Sequence, residues 1–135
     1  MATKVSSTVT LTNRNYLAEA KMRNHFAVID EPVDKGGDDN GPTPVEYLLT
    51  AIGSCVSITL RMYAERKKWD VGKIIVNVVQ KEELTKNGIK KSLVEEISFE
   101  KEITEEQRVK LLEIAGKCPV AKMVKGETPI TSKIK

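Results

Sequence analysis

Apolar and polar residues alternate in part from Val5 to Thr12, a stretch rich in β-branched side chains that reads as a strand. Asn13-Arg14-Asn15 is a turn signal, because asparagine tolerates positive φ and bonds its own backbone. Tyr16 to Met22 then alternates as Tyr16, Ala18, Ala20 and Met22 against Leu17, Glu19 and Lys21, the pattern of a hairpin partner. After a second turn at Asn24-His25, Phe26 to Ile29 gives a third short strand. Asp30 to Pro44 gathers acids, a glycine pair and Gly41-Pro42-Thr43-Pro44 into a loop long enough to suggest a function of its own. Its acids lack EF-hand spacing, so a solvated surface is the expectation.

At Thr43 the period changes. Thr43-Pro44-Val45-Glu46 is a helix start, with Thr43 as N-cap, Pro44 at the first helical position and Glu46 closing a capping box. Tyr47, Leu48, Ala51, Ile52, Cys55, Ile58, Thr59 and Met62 recur at helical spacing, so the helix is predicted to reach Lys67 or Lys68. Gly53 inside it costs about 1 kcal/mol relative to Ala, which calls for a compensating reason. Ala51, Gly53, Ser54 and Ser57 are small enough to admit another backbone. Lys73 to Glu82 alternates as a strand, Thr85-Lys86-Asn87-Gly88 carries an Asn-Gly hairpin signal, and Lys91 to Ile103 is the return strand. Thr104-Glu105-Glu106-Gln107 opens a second helix ending at Gly116, and Cys118-Pro119 opens a short third ending at Gly126. Pro129 to Ile134 reads as a last strand. The order βββ-α-ββ-α-α-β predicts an α+β fold, helices against antiparallel strands, in one domain over residues 1–135.

Composition narrows the function classes. Of 135 residues, 40% are hydrophobic and 30% charged, which excludes a disordered chain. One Trp, three Tyr and two Phe are too few for a surface that stacks single-stranded nucleic acid. Lys+Arg number 22 against 19 Asp+Glu, mixed along the chain, so no phosphate-binding stripe and no nucleic-acid partner are expected. Met1 to Ser7 has no apolar h-region, so no signal peptide is expected. Val45 to Tyr63, interrupted by Glu46, Thr50, Ser54 and Arg61, reads as too polar to span a membrane. Sparse cysteine points to a cytoplasmic chain with reduced thiols.

Chemistry rests on two cysteines. With the single His25 and no CxxC or HxxxH spacing, no protein-built metal site is expected. Cys55 lies on the apolar side of the long helix, where a small buried hydrophobe is the ordinary reading. Cys118 precedes Pro119 at a helix N-cap, where the dipole and free N–H groups favour a thiolate. Sequence distance leaves open whether they meet. If they do, a peroxide would turn one into a sulfenic acid and the other would condense with it. Cys55 would need a nearby cation to ionise, with Arg14, Arg23 and Arg61 as candidates; Arg61 is expected to face solvent or pair with Glu65.

The run from Gly41-Pro42-Thr43-Pro44-Val45-Glu46-Tyr47-Leu48-Leu49-Thr50 through Ala51-Ile52-Gly53-Ser54-Cys55, followed by Lys117-Cys118-Pro119-Val120, resembles the OsmC/Ohr superfamily, in its OsmC-like branch. These are osmotically inducible protein C and the organic hydroperoxide resistance proteins. The resemblance implies antiparallel strands on a long central cysteine-bearing helix, and an intertwined homodimer with sites at its interface. It implies a stress-response peroxidase that reduces organic hydroperoxides to alcohols without metal, flavin or other cofactor. Cys55 would be the peroxidatic residue and Cys118 the resolving one, joined as a disulfide and reset by a dihydrolipoyl group on a lipoylated protein. Arg14 matches the family's arginine in the loop between the first strands, with Arg23 the alternative. The family's acid follows the helix-opening proline directly. Here Val45 stands there and Glu46 comes one residue later, a rotation of ~100°. An apolar pocket of Tyr47, Leu48, Met62 and Phe26 would favour alkyl hydroperoxides over hydrogen peroxide. The rival reading is a non-catalytic dimeric module that binds a small apolar or thiol ligand or senses redox state.

Overall fold

The computed structural model describes residues 4–126 and 128–135, so Met1 to Thr3 of the segment read for a signal peptide lie outside the described residues. The chain divides into two compact units, residues 1–48 and 49–135. In the first unit, β1 (Thr8–Leu11), β2 (Ala18–Met22) and β3 (His25–Ile29) form an antiparallel sheet in that order. Pairing runs from Thr8↔Lys21 to Leu11↔Ala18 and from Ala18↔Ile29 to Met22↔His25. β1 and β2 are shorter than their alternation predicts, because a ladder extends only where a partner lies opposite. Arg23 takes φ 56° in the two-residue turn between β2 and β3.

The long helix α1 runs Pro44–Arg66, within two residues of the predicted end, and passes from the first unit into the second. Its start is the predicted capping box: the Thr43 N–H donates to Glu46 Oε1 at 2.9 Å and the Glu46 N–H to Thr43 Oγ1 at 3.2 Å. By length and composition α1 is apolar enough to cross a membrane, against the expectation that its polar residues forbid it. One face of it, Ile52, Val56, Leu60, Tyr63 and Ala64, is buried in the core of the second unit.

That core is closed by the hairpin of β4 (Ile74–Thr85) and β5 (Gly88–Phe99), by α2 (Glu105–Ala115) and by α3 (Pro119–Lys125). Ile74↔Phe99 and Val76↔Ile97 are cross-strand pairs, and all four residues pack on the α1 face with Val78. The hairpin turns at the four residues the sequence marks: Thr85 pairs with Gly88, Lys86-Asn87 occupy the turn and Gly88, at φ 110°, opens β5. This is a turn closed by a glycine at positive φ. β4 runs past the predicted Glu82 to Thr85, and β5 spans Gly88–Phe99 where the sequence predicts Lys91 to Ile103. α2 has its own capping box, Thr104 with Gln107. Pro129 to Ile134 forms no strand. Ile130 and Ile134 are exposed, and alternation without a neighbouring strand makes no ladder.

Gly53 has its compensation in this packing. A Cβ there would meet Val78 Cγ2 at 3.2 Å and the Val76 carbonyl oxygen at 3.5 Å. The strand crosses α1 closely enough that any side chain here would have to push Val78 aside. Gly53→Val is expected to destabilise by about 1–3 kcal/mol despite leaving the helix a better former, read by chemical denaturation beside wild type.

Candidate functional site

The structure brings Cys55 and Cys118 together. α1 carries Cys55 half-buried against the core, while Cys118 has no exposed surface and belongs to that core. Cys118 sits where α2 has ended at Gly116 and α3 begins at Pro119, as the N-cap of α3. Proline fits the first helical position because its φ is preset and it has no N–H to lose there. The Cys118 carbonyl accepts the Lys122 N–H at 3.1 Å, which pins the cysteine to the first turn. Both thiols are free, and Cys55 packs against the core cluster that holds Cys118, close enough to bear on its acidity.

The acidity of Cys118 differs from its reading as an activated N-cap thiol. Burial pushes the Cys118 thiol up, the hydrogen bond with Cys55 adds to this, and the Ala121 and Val120 N–H groups only partly oppose it. Loss of water outweighs the helix start. Cys118 is therefore a neutral donor beside Cys55, the more accessible sulfur.

Arg14 and Glu46 lie in the first unit. Arg14 is exposed in the turn between β1 and β2, where its N–H donates to Thr12 Oγ1 and its carbonyl accepts the Leu17 N–H, both at 3.1 Å. Its charge helps hold the Asp30 carboxyl below its ordinary value, while the Glu46 carboxylate accepts the Thr43 N–H. Tyr47 borders an apolar hollow of about 410 Å³ with Val9, Ala20, Met22, Ala27 and Ile29. Phe26 alternates onto the other sheet face and lies under Lys21. Arg61 donates to the Gly72 carbonyl at 2.6 Å instead of pairing with Glu65.

The family model for OsmC-like proteins matches residues 36–133. The chain belongs to the OsmC-like family. Its fold is that of solved structures such as a proposed osmotic-stress-induced and detoxification-response protein from Psychrobacter arcticus, with TM-score 0.75 and 22% identity over 90% of this chain and 89% of that one. An OsmC-like protein from Mycoplasma pneumoniae gives 0.71 and 20% over 93% and 90%. An organic hydroperoxide resistance protein from Elizabethkingia anophelis gives 0.70 and 20% over 93% and 91%. No curated protein matches the sequence significantly.

The second unit of this OsmC-like chain also holds a cavity that the sequence pattern did not reveal. Ile52, one turn before Cys55, and Ala121, one turn into α3, line a space of about 420 Å³ with Leu93, Glu95, Lys91 and Val124. Glu95 stands opposite Val78 on the inner face of the hairpin, at a position where alternation alone predicts an apolar side chain. That break in the pattern was the available signal.

The raised pKa of Cys118 has a signed consequence. Above the ordinary thiol value of about 8.5, the unfolded chain releases this proton while the folded chain keeps it. The stabilisation is thus present below that pH and lost as pH rises through it. Between pH 8.5 and 10, Tm is expected to fall more steeply in wild type than in Cys118→Ala; parallel curves would contradict the burial of a protonated thiol.

Proposed function

We propose that this OsmC-like protein is a thiol-dependent peroxidase that reduces organic hydroperoxides to alcohols. The observation that carries the reading is the pairing of an accessible thiol with a buried, protonated one. The Cys55 thiolate attacks the terminal oxygen of ROOH and breaks the O–O bond. A proton goes to the departing alkoxide, giving ROH and a Cys55 sulfenic acid. The Cys118 thiol then condenses with that sulfenic acid, forming the S–S bond and releasing water. A dithiol, of the lipoyl type that the resemblance implies, returns two electrons and two protons.

Arg14 enters as the cation facing the thiolate, and Glu46 as an acid beside it, both from the family resemblance. The homodimer, the cytoplasmic setting and the single domain over residues 1–135 belong to the same proposal; the family match spans the boundary between the two units. Solved relatives named organic hydroperoxide resistance proteins support the substrate class.

The deciding experiment is intact mass of the reduced protein after one equivalent of cumene hydroperoxide, with hydrogen peroxide in parallel. Rapid loss of two hydrogens supports the cycle. Unchanged mass over many minutes, with both thiols alkylatable after unfolding, overturns it and leaves the non-catalytic binding module.

A further inference from the structure

Asp30 is the one buried charged residue among those described, and the dithiol chemistry does not use it. Asp34, Asp38 and Asp39 of its loop are exposed, in line with the expectation of a solvated surface, but Asp30 is not. Instead one carboxylate oxygen accepts the Glu31 N–H at 2.7 Å and the other the Asn40 N–H at 3.0 Å, so the side chain clamps both ends of the loop. The Asp30 N–H donates to the Pro42 carbonyl and the Asp39 N–H to the Glu31 carbonyl, at 3.1 and 3.0 Å. Gly37 lies so close that an added Cβ would fall 2.9 Å from Asp30 Oδ1 and 2.0 Å from the Glu31 carbonyl oxygen. The clamp leaves no slack.

The turn that carries Arg14 is docked on this loop. Asn15 Nδ2 donates to the Gly36 carbonyl at 2.6 Å, and the Tyr16 ring lies 3.1 Å from where a Gly36 Cβ would stand. We propose that Asp30 is a positioning residue for Arg14, acting through the clamped loop and the Asn15–Gly36 bond that seats the Arg14 turn on it. This rests on the peroxidase reading and on Arg14 as its cation. The charge of Arg14 also reaches Asp30, after the backbone donors that dominate there, so the carboxylate is both anchor and counter-charge. Asparagine cannot replace it. An amide has one acceptor oxygen, and its NH₂ would face a backbone N–H.

The test is a double-mutant cycle on kcat/KM for cumene hydroperoxide with dihydrolipoamide, with melting curves for every variant. Asp30→Asn and Asn15→Ala are each expected to lower kcat/KM about 10-fold, as misplaced groups do. In an Arg14→Ala background, either one is expected to change the rate less than about 2-fold. A merely structural role would multiply with the Arg14 loss, and that result overturns the inference while leaving the peroxidase intact. So does wild-type activity in Asn15→Ala, or an Arg14→Ala variant as active as wild type. An inactive wild type overturns the peroxidase reading itself and this inference with it.

Discussion

Cys55→Ser is expected to lose hydroperoxide reduction by ~10³-fold or more, because the nucleophile that forms the new S–O bond is gone and no other group can take its part. Cys118 cannot substitute. It has no exposed surface, and burial pushes its pKa up. Cys118→Ser, in contrast, is expected to react once and stop, gaining one oxygen on Cys55, since a serine hydroxyl does not condense with a sulfenic acid. Stopped-flow consumption of cumene hydroperoxide reads the first variant and intact mass the second. Equal turnover in wild type and Cys55→Ser would end the assignment of Cys55. A two-hydrogen loss in Cys118→Ser would end that of Cys118.

How much of this was legible depended on how local the cause was. The α1 cap was readable because Thr43, Pro44 and Glu46 stand within one turn and bond each other. The three-stranded sheet was readable in order but not in extent, since strand ends depend on the partner's length. The hairpin turn was readable because Thr85 and Gly88 close it within four residues, whereas the ends of its strands depend on the partner strand. The last strand was read from alternation alone, and no described strand lies beside it. For the site, the motif around Cys55 and the Cys118-Pro119 pair pointed to a dithiol, whereas the acidity of Cys118 was misread. A helix start is visible in sequence, but the burial that outweighs it comes from distant core residues such as Leu111 and Val56. Asp30 was missed for the same reason. Its donors include Asn40, brought back by the loop itself.

Leu60→Ala is expected to be the most damaging single truncation of the core, at about 2–5 kcal/mol. Leu60 is fully buried on α1, at the base of an open hollow of about 120 Å³ that Ile97, Phe99, Leu111, Glu95 and Arg108 also line. Removing its branch leaves a gap between a strand and two helices that cannot all close on it at once. Against a total stability of ~5–15 kcal/mol, that is a large share, and Tm should fall by on the order of 10 °C. Val109→Ala is the control: it too removes apolar carbons from a helix, but Val109 is 58% exposed and alanine is the better helix former. Its cost is expected within about 0.5 kcal/mol. Chemical denaturation of both variants separates burial from composition: similar losses would mean that the α1 face, and with it the seat of Cys55, is not the centre of the core.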